Sequence, residues 1–258
     1  MSIHPTAIVD PVASIAESAE IGPYSIIGAD VEIGPGTQVK AHVFMEGPLR
    51  IGRDNVFYPY STVGVDPQDL KYKGEPSSTV IGDRNKIREF VTIHRGTEGG
   101  GMLTSLGDDN LLMAYVHVAH DVHVGNRTVL ANAATIGGHV VIADWAVISA
   151  GSAVHQFCRV GRHAIVGGYS VITQDVLPFS MTVSDREVKV FGANATGLER
   201  RGFSSESIES LHKAFRLLTR SGLNTSQAVG RIREEIPSSA EIDELLAFIE
   251  ASQRGVIK

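Results

Sequence analysis

The sequence predicts a parallel β-helix, a triangular prism of stacked coils, followed by a small all-helical domain. Two periodicities support this. A large apolar residue, most often aliphatic, recurs every six positions from Ile3 through Val9, Ile15 and onward to Val63. The series resumes at Ile81, Ile87 and Ile93, then runs from Leu106 to Ile172, giving 26 hexads. A period of six fits neither a helix at 3.6 nor a simple two-sided strand. Small residues hold a second register four positions later, among them Ala7, Ala13, Ser25, Thr37, Ser61, Thr128, Ala134, Ser152, Cys158 and Ser170. One large and one small inward slot per hexad fill a narrow prism, and three hexads make a coil. Neighbouring coils then stack at roughly 4.8 Å. Glycine often follows the large apolar residue, as at Gly22, Gly34, Gly82 and Gly137, where a tight corner is expected to use its backbone freedom.

The prism is expected over residues 1–190, with two interruptions. Val65 to Thr79 has no aliphatic residue at positions 69 and 75, and Arg95 to Ser105 contains a glycine triplet and shifts the register. Both read as loops leaving a rigid scaffold, where function often resides. The first, with its cluster of Gln68, Asp69 and Lys71, is the stronger functional candidate. Residues 191–258 read as three or so helices. Ile208, Leu211, Phe215 and Leu218 form a stripe that starts near Ser204 or Ser205. Asn224 with Gln227 reads as a capping box, and Ser238 with Glu241 as the start of a last helix beyond Pro237.

Composition excludes several classes. A net charge of −6 argues against a general nucleic-acid surface. Cys158, the only cysteine, falls in a small inward slot and reads as a core thiol. The repeat starts at Ile3 with no basic stretch leading into an apolar run. No run of about 18 apolar residues occurs, so a soluble cytoplasmic chain is expected.

The chemistry concentrates in histidines. None of the ten occupies an inward slot. Counting by coils puts Ile93, Val118, Ile136 and Val154 on one corner, and His94, His117, His120, His139 and His155 beside them. A column of imidazoles on an exposed edge suggests general-base chemistry, metal binding or anion recognition. Asp121 follows His120 directly, and a carboxylate can fix an imidazole's tautomer and stabilise the imidazolium. No Gly-x-Ser-x-Gly element is present, so a base that activates a substrate hydroxyl fits better than a nucleophilic serine. Gly137 and Gly138, one coil above, can offer N–H groups to an oxyanion. Flat prism faces also suit three-fold closure, with sites between the subunits of a homotrimer.

These residues resemble a known family. The hexads are similar to those of the left-handed hexapeptide-repeat acyltransferases. The stretches 69–76 (DLKYKGEP), 91–96 (VTIHRG), 117–121 (HVAHD), 137–139 (GGH), 154–158 (VHQFC) and 200–204 (RRGFS) resemble the UDP-N-acetylglucosamine O-acyltransferases that begin lipid A biosynthesis. The resemblance spans nearly the whole chain and implies the left hand of the β-helix. It implies that His120 takes the proton from the glucosamine 3-hydroxyl as that oxygen attacks the thioester of a 3-hydroxyacyl group. The acyl group would be carried on the phosphopantetheine of acyl carrier protein, with no other cofactor and no metal. Asp121 would orient His120, and the Gly138 N–H would stabilise the oxyanion. His117, His139, His155 and Gln156 would hold the sugar and align the acyl chain. Gln68, Asp69, Lys71 and His94 would engage the nucleotide sugar, with the loop reaching a neighbouring subunit. Asn194, Arg200 and Arg201 would bind the UDP end. Gly168 matches the family's acyl-length ruler, and each methylene it admits to an apolar groove is worth roughly 0.8 kcal/mol.

Two departures lie near the nucleotide end. Residues 182–191 replace a shorter Gly-Asn segment of the family, and Thr196 stands where the family has a glutamate. Some relatives acylate a 3-amino sugar, so an amide product is an alternative. A carbonic-anhydrase-like metalloenzyme and a non-catalytic sugar- or carrier-binding module are rivals on the same scaffold. The related N-acyltransferase of the pathway has an additional domain ahead of its repeats, which the start at Ile3 argues against.

Overall fold

A computed structural model of the chain describes residues 2–183, 192–193, 195–199, 202–251 and 256. It divides into two compact units, Met1–Asp185 and Arg186–Lys258. The junction expected at 190/191 falls outside the described residues.

The first unit is the expected left-handed parallel β-helix. Its described short strands form three parallel sheets of ten, nine and eight strands, visited in rotation as far as Val171–Ile172; the next turn of the third sheet is a single bridge, Val160 to Val176, before Met181–Thr182 rejoins the first. The large hexad residues are the inward ones: Phe57, Met45, Ile87, Leu112, Ile136 and Ile148 are fully buried. The small register is equally buried at Ser25, Thr37, Ser61, Ala134, Ser152 and Ala164. Burying each large side chain stabilises the fold by roughly 1.5–3 kcal/mol. Asparagines fill the small slot on one corner. The Asn85 amide donates to Gly107 O at 2.9 Å, and the Asn110 N–H donates to Asn85 Oδ1 at 2.9 Å. These buried amides thus find partners in the adjacent coil.

The corner chemistry differs from expectation. The glycine after the large apolar residue is not, as a rule, the left-handed position; that position lies two residues further on. There φ is positive at Tyr24, His42, Tyr60, Asp121, His139 and Phe157, among eighteen of the nineteen described non-glycine residues with positive φ. The glycines answer to space instead: a Cβ on Gly22 would lie 2.7 Å from the Lys40 carbonyl carbon of the next coil. Side chains at the left-handed position project outward and stack. Tyr24, His42, Tyr60, Phe90 and Tyr115 form one ladder with ring centroids 4.9–5.1 Å apart.

The interruptions are shorter than the sequence suggests. Strands Thr62–Val65 and Ser78–Ile81 bound the first loop, and Thr92–His94 and Leu103–Leu106 bound the second. The flanking residues pair with neighbouring coils, Val65 with His94 across a register shift after Val63 and Ser78–Ile81 in register with Leu103–Leu106, which draws them into the sheets.

Among the described residues the second unit holds four helices: α1 (Ala195–Glu199), α2 (Ser205–Arg220), α3 (Thr225–Glu235) and α4 (Ala240–Ala251). Ser204 caps α2, accepting from the Ser207 N–H, and Asn224 with Gln227 forms the expected capping box on α3. The α4 cap is Ser239, one residue later than expected. Its hydroxyl accepts from the Ile242 N–H at 3.3 Å and donates to Glu241 at 2.9 Å. Leu211, Ala214, Leu218, Ala228, Ile232, Ile242 and Leu246 make the core of this unit. No described helix is long and apolar enough to cross a membrane.

Candidate active site

The second sheet places the site. Strands Thr92–His94, His117–Val118, Thr135–Ile136 and Ala153–Val154 are consecutive neighbours, with Ile93, Val118, Ile136 and Val154 in register. The corner that follows them carries both loops, and above them His120–Asp121, Gly138–His139 and His155–Phe157. Register sorts these residues into two columns rather than one file of imidazoles. His120, Gly138 and Gln156 share the second position after the large residue, and Asp121, His139 and Phe157 share the third.

His120 Nδ1 lies 2.8 Å from Asp121 Oδ2. Asp121 is buried, with positive φ, and its carboxylate is held from the glycine loop. The Thr97 N–H donates to Oδ1 at 2.9 Å, and the Thr97 hydroxyl donates to Oδ2 at 2.5 Å. The Asp121 N–H donates to Thr104 Oγ1 at 2.8 Å. A Cβ on Gly96 or Gly100 would strike the carboxylate, which explains two glycines of this loop. The imidazole face of His120 rests against Gly138. A Cβ there would lie 2.7 Å from Cε1 and 2.8 Å from Nε2. Five hexads place proline at the position that Gly138 holds in its own, namely Pro5, Pro11, Pro23, Pro35 and Pro59, and proline has no N–H. Glycine therefore supplies a donor beside His120 as well as room for it.

The surrounding histidines have separate settings. His94 is buried, not on the exposed edge that the sequence suggests, because the first loop covers it. Burial and neighbouring His117 push it down to about 4, against a smaller upward pull from the Asp66 backbone. His117 accepts from or donates to Thr92 Oγ1 at 2.7 Å, and burial, with His120 nearby, lowers its pKa. His139 crosses His120 edge-on with centroids 5.1 Å apart and stacks on Phe157 at 4.4 Å. Burial lowers its pKa, opposed by Asp121 and Asp69 and assisted by His120 and Lys71. Asp69 and Lys71 are thus close enough to act on it within one chain. The depressed values favour neutral imidazoles that exchange hydrogen bonds with a polyhydroxyl ligand. His155 and Gln156 are exposed at the upper rim.

Gln68, Asp69 and Lys71 sit on the first loop, Gln68 and Lys71 exposed and Asp69 half-buried. The loop is stapled by Arg95, which sequence reasoning missed. Its buried guanidinium donates to Gly47 O at 2.9 Å, Gly64 O at 3.2 Å and the Tyr72 hydroxyl at 3.0 Å, and pairs with Asp66. Thr97, Thr104 and Phe157 were missed too. Asn194, Arg200 and Arg201, and residues 184–191 of the first departure, lie outside the described residues. Thr196 is exposed on α1. Gly168 is exposed between strands Ile165–Val166 and Val171–Ile172, on a different corner from His120. A Cβ there would touch only Ala150 O, at 3.5 Å. His120, Asp121 and His139 could each turn a ligand atom toward a metal ion, with those atoms within 4.8 Å of one another. The Asp121 oxygens, however, are already engaged by Thr97 and His120.

A left-handed β-helix whose corner bears a buried carboxylate, an imidazole and a glycine donor defines a hexapeptide-repeat acyltransferase. Residues 104–138 match the model described as bacterial transferase hexapeptide (six repeats), and residues 175–257 match domain 2 of Udp N-acetylglucosamine O-acyltransferase. The acyl-[acyl-carrier-protein]–UDP-N-acetylglucosamine O-acyltransferase of Burkholderia lata is 48% identical over 260 residues, covering 99% of each chain. The solved LpxA of Acinetobacter baumannii is 42% identical with TM-score 0.71, covering 99% of each chain. The UDP-N-acetylglucosamine O-acyltransferase of Moraxella catarrhalis is 41% identical with TM-score 0.70, covering 100% of each. The chain belongs to the UDP-N-acetylglucosamine O-acyltransferase family.

Proposed function

We propose that this protein moves a 3-hydroxyacyl chain from acyl carrier protein to the 3-hydroxyl of UDP-N-acetylglucosamine, the first step of lipid A biosynthesis. The observation that carries the reading is the His120–Asp121 pair at 2.8 Å, capped by Gly138. With Nδ1–H donating to Asp121, Nε2 bears the lone pair. Nε2 takes the proton of the sugar hydroxyl as that oxygen attacks the thioester carbonyl. The Gly138 N–H receives the oxyanion, and the imidazolium returns its proton to the departing thiolate. His117, His139, His155 and Gln156 hold the sugar and acyl chain. Gln68, Asp69, Lys71 and His94 hold the nucleotide sugar, with Asn194, Arg200 and Arg201 at its UDP end.

The working unit is a homotrimer in the cytoplasm. Support for the trimer comes from Gly168: within one chain it occupies another corner of the prism from His120. A ruler there can limit an acyl chain bound at His120 only if it belongs to a neighbouring copy.

The test offers UDP-N-acetylglucosamine with a series of 3-hydroxyacyl carrier proteins and reads product mass. The reading expects one added 3-hydroxyacyl group. Product only with a 3-amino UDP-sugar would establish the amide instead. No product with either acceptor would refute acyl transfer.

A further inference from the structure

The second loop has no assigned role, yet it touches the dyad more closely than any substrate-binding candidate does. Thr97 is buried, and its hydroxyl donates at 2.5 Å to Asp121 Oδ2. That same oxygen lies 2.8 Å from His120 Nδ1. The Thr97 N–H holds the other oxygen at 2.9 Å, so the carboxylate has no rotational freedom. Gly96 and Gly100 press the loop onto the carboxylate where any side chain would collide.

We propose that Thr97 is a positioning residue for the dyad. By donating to the oxygen that receives the His120 N–H, it fixes that oxygen and takes a share of its negative charge. It thereby sets the pH at which His120 becomes a competent base. The inference rests on the general-base reading of His120.

The sign follows from electrostatics. A donor on Oδ2 competes with His120 for the carboxylate's charge. Removing the hydroxyl leaves more of that charge to stabilise the imidazolium, so His120 holds its proton to higher pH. The other groups facing His120 are His139 from the coil above, and His117 and His94 from the second sheet. Asp69 and Lys71 act on His139 from the first loop. All of these stay in place when Thr97 alone is changed.

The experiment compares wild type, Thr97→Val and Thr97→Ser in steady-state acyl transfer across pH. In Thr97→Val, kcat falls roughly 10- to 100-fold, the size of a lost hydrogen bond to a charged group. KM for the nucleotide sugar is unchanged, and the acid limb of kcat/KM moves to higher pH. Thr97→Ser restores both. If Thr97→Val does not fold, Thr97→Ala against Thr97→Ser makes the same comparison. An acid limb that stays put, or a serine variant that behaves like valine, overturns the proposal. An NMR titration of the His120 ring in wild type and Thr97→Val needs no turnover. A shift to higher pH there supports Thr97's role even if acyl transfer is refuted, and coincident curves reject it.

Discussion

The imidazole of His120 occupies the space that a side chain on Gly138 would need, 2.7 Å from ring to built Cβ. The glycine is therefore fixed by the packing of the His120 ring and not by backbone freedom, because its φ is not in the left-handed region. Gly138→Ala is expected to keep its N–H and its fold while displacing the ring. A displacement of about 1 Å costs roughly 100-fold in kcat. Steady-state kinetics beside a thermal melt check this; full activity in a folded variant would contradict it.

Arg95 ties together the coils beneath the first loop. Arg95→Met leaves the carbonyls of Gly47 and Gly64 without their donor and frees Asp66 and Tyr72. Breaking such a buried charged network costs about 3 kcal/mol. Denaturant unfolding should show that loss. KM for the nucleotide sugar should rise as the loop bearing Gln68, Asp69 and Lys71 loosens, with a smaller change in kcat.

His94 gives the fold a pH dependence of definite sign. Its folded value is about 4, below the ordinary histidine value of 6.5. Below that ordinary value the unfolded chain binds a proton that the folded chain refuses. Stability is fully present above pH 6.5 and declines as pH falls toward 4. The loss is on the order of 3 kcal/mol. His94→Gln removes this contribution, so its unfolding free energy should fall less than that of wild type over the same window.

A Cβ on Gly168 would make only an ordinary contact, with Ala150 O at 3.5 Å. Gly168→Met should fold normally and shift the products to shorter acyl chains, as read by mass with a mixed-length donor pool. An unchanged length distribution would remove Gly168 from the acyl groove.

Much of the prism and the identity of the dyad were legible because both rest on a strict count. Six residues fix the inward slot and eighteen fix the vertical neighbour, so Gly138 could be set one coil above His120 by counting alone. The loops were not legible for the same reason. Between Ile93 and Val118 the period is broken, so no count brings Thr97 to Asp121. Among the glycines after Thr97, Gly100 was the signal, since its close approach to the Asp121 carboxylate leaves no room for a side chain. His94 was misplaced because burial by a loop leaves no periodic trace. The corner glycines were misassigned because steric pressure between coils and backbone freedom favour the same residue.

His120 is the proposed base. The most direct test measures acyl transfer by His120→Ala with UDP-N-acetylglucosamine and 3-hydroxyacyl carrier protein, alongside its thermal melt. The expected result is a rate lowered roughly 10²- to 10⁴-fold in a protein that melts as wild type does. Transfer at the wild-type rate would contradict the account.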